Sequence, residues 1–201
     1  SENLKPVRLA SIGAGMIGKV HAKFAAELPD CEYVALCDPD PSREQMAREL
    51  GTEYYSDYKE MIEKESLDGV IVSLPNEMHE PVGTYCADRG LHIFMEKPIA
   101  PTIETAKKLI ESAKRNNVQL LIAHHRRFNP MIVATRDMVQ SGELGDIVGV
   151  SILWCMYKPS EYFVAGPWRA QKGGGPILIN TIHEVDNLID NYDLKLEDIY
   201  N

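Results

Sequence analysis

Three glycines spaced Gly13-x-Gly15-x-x-Gly18 constrain this chain more than any other feature. Before them, Val7 to Ile12 reads as a buried parallel strand. After them, apolar residues recur at helical spacing through Ile17, Val20, Phe24 and Leu28. The stretch therefore predicts a strand, a glycine turn and a helix. In that setting Gly13 allows the turn, Gly15 lets a pyrophosphate come close to the backbone, and Gly18 lets the helix pack against the strand. The helix N-terminus, from Gly15 through Met16 and Ile17, offers free N–H groups and a positive dipole end to phosphates. A second run, Tyr33 to Cys37, ends in Asp38, 20 residues beyond Gly18. An acid there accepts hydrogen bonds from an adenosine ribose. Motif, context and acid agree on a dinucleotide site. The plainer alternative is a tight turn with Asp38 capping the next helix.

Length and composition set the bounds. The 201 residues allow one domain, or one and part of a second, and 44% hydrophobic with 25% charged residues describes a soluble globular protein. A formal charge of −9 argues against nucleic acid as a partner, because phosphates demand a basic face. No apolar run is long enough to span a membrane, and the first residues show no signal-peptide pattern. Cys31, Cys37, Cys86 and Cys155 lack C-x-x-C spacing. Reduced thiols in a cytoplasmic protein are the expectation.

Strands and helices alternate through residue 123. Helices are expected at Ser42–Leu50, Asp57–Lys64, Glu80–Arg89 and Thr102–Asn116, and strands at Glu53–Tyr55, Gly69–Ser73, Leu91–Met95 and Val118–Ala123. Asp40 and Thr102 are candidate N-caps. Such alternation implies an α/β fold with a doubly wound parallel sheet, here assigned to residues 1–123. The pattern then changes. Residues 124–201 offer a helix at Asn129–Ser141, a strand at Ile147–Met156, a helix at Ile177–Asn191 and a strand beginning at Leu196–Tyr200. A two-stranded sheet is marginal alone, so this second unit is expected to be the first part of a larger α/β domain.

Ligands in open α/β sheets sit beyond the carboxyl ends of the strands, and the polar residues of this chain gather there. Ser73-Leu-Pro75-Asn76-x-x-His79 follows the fourth strand, so Asn76 and His79 are placed to line a cofactor cleft, or equally to cap and open the next helix. Glu96-Lys97-Pro98 ends the fifth strand. A lysine delivered there, beside an oxidised nicotinamide and partly desolvated, can move a substrate hydroxyl proton. The alternative is an exposed Glu-Lys pair. Pro98 is a candidate for a cis bond. His124-His125-Arg126-Arg127 follows the sixth strand. Its arginines could orient carboxylates, hydroxyls or a carboxamide. The adjacent histidines would point opposite ways in a strand, which disfavours a joint metal site. Trp168-Arg169 and a helical set three apart, Asn180, His183 and Asp186, complete the candidates. His183 reads either as a proton shuttle or as a structural histidine.

Taken in this order, the glycine motif, Asp38, Pro75-Asn76-x-x-His79, Glu96-Lys97-Pro98, Arg126-Arg127-Phe128, Trp168-Arg169 and Gly-Gly-Gly…His183-x-x-Asp186 resemble one family. It is the glucose–fructose oxidoreductase / inositol dehydrogenase / rhizopine-catabolism family of NAD(P)-dependent oxidoreductases. The resemblance implies a Rossmann domain followed by an α/β substrate domain with a large open sheet. It implies hydride transfer between a nicotinamide and a hydroxyl-bearing carbon of a sugar, cyclitol or polyol, and a homo-oligomer in the full-length form. It makes Lys97 and His183 the catalytic pair and sets Glu96 near the nicotinamide ribose. The cofactor contacts expected are Gly13, Gly15, Met16, Ile17, Gly18, Asp38, Ser73, Pro75, Asn76, His79, Glu96, Lys97 and Arg126. Substrate contacts are expected from Lys97, Arg127, Trp168, Arg169, Asn180 and His183. Asp38 favours NAD over NADP, whose 2′-phosphate would meet its charge. Two departures stand out. Ile179 occupies the place of a family aspartate, and members are considerably longer. A non-catalytic NAD-binding sensor or scaffold and an NAD-using glycosidase remain the alternatives.

Overall fold

A computed structural model describes residues 5–171 and 174–192. The chain divides into two compact units, Ser1–Ala123 and His124–Asn201.

The first unit is built on six parallel strands: β1 (Val7–Ile12), β2 (Cys31–Cys37), β3 (Glu53–Tyr55), β4 (Gly69–Val72), β5 (His92–Met95) and β6 (Leu120–Ile122). They lie in the order β3-β2-β1-β4-β5-β6. This is the doubly wound Rossmann arrangement, and the order reverses between β1 and β4. The connecting helices are α1 (Met16–Glu27), α2 (Glu44–Glu49), α3 (Tyr58–Lys64), α4 (His79–Ala87) and α5 (Ile103–Arg115). Ala10, Ile12, Val70, Val72, Ile93 and Met95 pack with Met61 of α3, Val82 of α4 and Leu109 of α5 into one buried layer. Leu36 packs with Ala22 of α1 and Ala47 of α2 into another. Neighbouring strand residues point to opposite faces, so a run of apolar residues serves both layers.

Local chemistry explains where the helices begin. Asp40 accepts from the Ser42 N–H at 2.9 Å, ahead of a 3₁₀ turn that leads into α2. Asp57 caps α3 through the Lys59 N–H, and Thr102 forms a reciprocal capping box with Thr105 at the start of α5. The buried stripe of α1 differs from what its large apolar residues suggest. Gly18, Ala22 and Ala25 face the sheet, whereas Phe24 and Leu28 are 63% and 56% exposed. Small residues win because Gly18 must approach the Gly13 backbone just after β1, and bulk on the same face would push the helix away.

The second unit contains α6 (Pro130–Gln140), α7 (Ser160–Val164) and α8 (Ile182–Tyr192), the last preceded by a π-helical turn at Ile177–Thr181. Asn129 caps α6 through the Met131 N–H, with Pro130 in the first turn. The strand expected at Ile147–Met156 is absent among the described residues, and Val148 and Leu153 there are almost wholly exposed. A strand is stable only when a neighbour completes its hydrogen-bond ladder, and no described strand lies beside it. The strand expected at Leu196–Tyr200 falls outside the described residues.

Candidate active site

The sheet register sets the site. Cys37, Ile12, Val72, Met95 and Ile122 end β2, β1, β4, β5 and β6, and they pair residue to residue across the sheet. The next residues, Asp38, Gly13, Ser73 and Glu96, therefore stand in a row along the carboxyl edge. Asp38 and Glu96 are three strand gaps apart, about 14 Å at ~4.8 Å per gap. That span suits the two riboses of an extended dinucleotide.

Gly13 adopts φ +98°, and a Cβ there would lie 2.2 Å from the Ser73 carbonyl oxygen. A Cβ on Gly18 would lie 2.2 Å from the Gly13 carbonyl oxygen. Both glycines are required by close backbone packing. Gly15 is different: a Cβ there would meet nothing within 4 Å. It is the N-cap of α1 and supplies no side-chain cap, so the first N–H groups of the helix, beginning at Met16 and Ile17, receive no side-chain acceptor from it. This is a cradle for a phosphate that must touch backbone, and it fits a dinucleotide pyrophosphate. Asp38 is oriented by the same turn. Its Oδ2 accepts from the Ala14 N–H at 2.7 Å and its Oδ1 from the Asp40 N–H at 2.9 Å. Burial pushes the neighbouring Cys37 thiol up to about 12, with the Asp38 charge adding to the effect, so it stays neutral.

Beyond β5, the Lys97–Pro98 bond is cis, as the sequence suggested it could be. Glu96 is 7% exposed. Burial raises its pKa, but the His21 hydrogen bond, the His21 charge and the Lys97 charge together pull it below the usual carboxylate value. It is therefore ionised at neutral pH.

Three residues expected among the cofactor contacts have the following surroundings within the protein. The His79 ring is fully buried, with Nδ1 2.7 Å from the Pro98 carbonyl oxygen and Nε2 2.9 Å from that of Leu74. Burial pushes its pKa down, against the two carbonyls. It bridges the loops after β4 and β5 through those two carbonyls. The Ser73 hydroxyl is likewise buried, and its Cβ packs under Gly18. Arg126 pairs with Glu184 of α8. Asn76 is buried in a 3₁₀ turn that opens on Pro75, and so does not act as an N-cap.

In the second unit, Arg127 was expected to bind substrate. Its fork grips Asp186, with Nε 2.9 Å from Oδ2 and Nη2 2.5 Å from Oδ1. Arg136 of α6 adds a bond of 3.1 Å to Asp190. These pairs pin α8. Asp186 is buried while the Arg127 side chain is 40% exposed. Removing the arginine strands a buried carboxylate; removing the acid leaves a guanidinium that water can solvate. Arg127→Ala is therefore expected to cost about 2 kcal/mol in denaturant unfolding, and Asp186→Ala less. Equal losses, or the reverse order, would contradict the pairing.

Asn180 lies in the π turn that leads into α8, while His183 and Asp186 lie in α8 itself. Asn180 lines a cavity of about 480 Å³ with Arg169, Trp154, Met156, Tyr162 and Ile179. Arg169 lies over the Tyr162 ring at 4.3 Å, and Trp168 is not among the residues lining this cavity. His183 is half-buried, its ring meeting that of His125 edge to face at 4.9 Å. Sequence reasoning missed His21, whose Nε2 reaches Glu96 Oε1 at 2.6 Å. Only its place one turn past Gly18, on the helix the motif starts, could have drawn notice.

The comparisons agree with this geometry. The family model described as "Oxidoreductase family, NAD-binding Rossmann fold" of GFO_IDH_MocA matches residues 7–124, and the corresponding C-terminal domain model matches residues 132–193. The rhizopine catabolism protein MocA of Rhizobium meliloti is 35% identical over 182 residues, 90% of this chain and 56% of its own length. The scyllo-inositol 2-dehydrogenase (NAD(+)) of Bacillus subtilis is 35% identical over 142 residues, 69% of this chain and 42% of its own. Among solved structures, the WlbA dehydrogenase of Bordetella pertussis in complex with NADH and UDP-GlcNAcA has a TM-score of 0.85 at 26% identity, covering 93% of this chain and 58% of that one. The chain thus spans about half the length of the relatives it matches. With a matching Rossmann domain, a matching second domain and the glycine cradle in place, this chain belongs to the Gfo/Idh/MocA oxidoreductase family.

Proposed function

We propose that this chain carries the cofactor-binding and proton-transfer parts of an NAD-dependent dehydrogenase acting on a secondary hydroxyl of a cyclitol, sugar or related polyol. The observation that carries the reading is the row Asp38–Gly13–Ser73–Glu96 on one sheet edge, with Lys97 next in sequence. Asp38 holds the adenosine ribose, and the Gly15–Ile17 backbone holds the pyrophosphate. Bound NAD supplies the hydride acceptor. Lys97 takes the hydroxyl proton at Nζ as the carbinol carbon is oxidised, and returns one in the reverse direction. Such help contributes roughly 10²- to 10⁴-fold. His183 is assigned the second proton-carrying role, supported by the pairs that pin α8. Arg169 and Asn180, sharing one cavity, suit the hydroxyls of a polyol ring.

NAD is preferred over NADP because Asp38 is held facing the turn by two backbone N–H groups, where a 2′-phosphate would meet its carboxylate. Arg43, the nearest cation in sequence, lies 3.5 Å from Asp40 and so does not stand ready for a 2′-phosphate. Titration followed by nicotinamide fluorescence is expected to show NADH binding at least about tenfold tighter than NADPH, a difference of ~1.4 kcal/mol. Asp38→Ser should erase that preference. Tighter NADPH binding by the unaltered chain would overturn the assignment.

Ile179 in the place of the family acid favours a second reading, an NAD-binding module without turnover. NADH binding with no oxidation of any polyol or sugar by the longest natural form of the protein would support it.

A further inference from the structure

The cavity of about 480 Å³ in the second unit is lined by two cationic side chains, Lys158 and Arg169, and by no acid among the described residues. Both cations meet one aromatic ring. Lys158 Nζ lies 4.5 Å from the centre of the Tyr162 ring, and the guanidinium carbon of Arg169 lies 4.3 Å from it. Glu161, beside Tyr162 in α7, is exposed and does not line the cavity. Ile179, in the place of the family acid, does line it and brings no charge. The pair stands out in a chain whose formal charge is −9. Like charges on one ring repel each other, and the negative face of the ring offsets only part of that repulsion.

Arg169 is held in place by its surroundings. Its Nη1 donates to the Tyr162 carbonyl oxygen at 2.6 Å. A Cβ on Gly166 would lie 2.5 Å from that Nη1 and 2.7 Å from the guanidinium carbon, so the guanidinium packs directly on the Gly166 backbone. The Gly175 N–H donates to the Arg169 carbonyl at 2.9 Å, which also fixes its main chain. One N–H of the fork is spent in this way, and a guanidinium has five. The apolar lining, with Trp154, Met156 and Phe163, suits the C–H face of a sugar ring.

We propose that the substrate held in this cavity is a sugar or cyclitol bearing an oxyanion, a carboxylate or a phosphate ester, which Lys158 and Arg169 bind together. The proposal rests on the reading in which this cavity takes the substrate ring. The planar fork of Arg169 suits two oxygens of the anion, and Lys158 adds a point charge. Asn180, an uncharged amide, serves the ring hydroxyls. A ring with only neutral substituents would displace water from two cations and return no charge to them, which is costly.

Both tryptophans of the chain report on this site. Trp154 lines the cavity, and the Trp168 ring lies 5.4 Å from the Arg169 guanidinium carbon. Titration followed by tryptophan fluorescence, without nicotinamide cofactor, therefore reads binding apart from turnover. The probes are glucose, glucuronate and glucose 6-phosphate, with the matching galactose series to vary ring configuration. At least one acid is expected to bind about tenfold more tightly than its neutral parent, an advantage that shrinks as salt is raised. The tighter of the uronate and the phosphate identifies the oxyanion. Lys158→Gln should remove most of the advantage, and Lys158→Arg should retain it. Should Lys158→Gln not fold, the comparison of acid with parent in the unaltered chain decides. No acid binding more tightly than its parent, an advantage untouched in folded Lys158→Gln, or an equal loss in Lys158→Arg overturns the proposal. NADH titration and a turnover assay keep the two readings apart. Failure to bind NADH removes the dehydrogenase assignment. Oxidation of neutral polyols in preference to their acids leaves that assignment standing and removes this one.

Discussion

Gly13→Ala is expected to abolish NADH binding and to destabilise the first unit by about 3 kcal/mol or more. Two costs combine. At φ +98° an L-residue pays about 1–2 kcal/mol of backbone strain. The new Cβ would also lie 2.2 Å from the Ser73 carbonyl oxygen and 2.9 Å from its carbon. That carbonyl is backbone and cannot swing aside, because the Ser73 N–H is bonded to the Ile12 carbonyl at 2.9 Å directly after buried β4. The turn must open, and the Asp38 contact to the Ala14 N–H opens with it. Gly15→Ala is the matched control. Its Cβ enters open space, so the melting temperature should hold within a degree or two, while NADH binding weakens about tenfold as the methyl group meets the pyrophosphate. Thermal melts and NADH titrations of both variants check the contrast. If Gly13→Ala binds NADH normally, or if Gly15→Ala unfolds the unit, the assignment of these glycines is wrong.

Lys97→Met is expected to lower turnover by about 10²- to 10⁴-fold, with NADH affinity within about threefold of the unaltered protein. Methionine keeps the length and apolar stem of lysine and removes only the amine. The backbone that frames the site is unaffected, since the Lys97 N–H to Glu96 bond and the Glu96 to His21 bond need no side chain at position 97. Arginine would be a poorer control, being always protonated and therefore unable to accept a proton. The measurement is a steady-state assay on a polyol and sugar panel using the longest natural form, with NADH titration of each variant alongside. Loss of NADH binding in a folded Lys97→Met protein would make Lys97 a cofactor ligand and remove its proton-transfer role.

The two predictions differ in where their evidence comes from. The glycine motif, the acid at Asp38 and the alternation of strands with helices are local patterns, and each was legible as such. A strand–turn–helix is encoded by residues within one short window, so its physics is present in that window. Capping at Asp40 and Thr102 is legible for the same reason. Lys97 was legible from its place after a buried strand, because all parallel strands end on the same edge.

Other features depend on partners distant in sequence. The polarity of His79, Arg126 and Arg127 marks them as groups that need partners, and the fold supplies carbonyls to the first and carboxylates of α8 to the other two. A buried polar group must find a partner, and that partner is as often the protein as a ligand. Ile147–Met156 carried strand-like residues, but a strand exists only with a neighbour. On α1, periodicity located the helix while the choice of buried face followed from how closely Gly18 must approach the sheet.

By itself, then, the sequence determined the class of fold, the glycine turn after β1, the acid that follows β2 and the strand end that carries Lys97. Each of these rests on near-neighbour spacing and backbone conformation. Only the tertiary structure decided that His21 reaches Glu96 across 75 residues and that Arg127 grips Asp186 across 59. It also decided that His79 is buried against Pro98, a partner 19 residues away. Those pairings arise from strand order and helix packing, and a one-dimensional pattern records which residues can pair but not which ones the fold brings together.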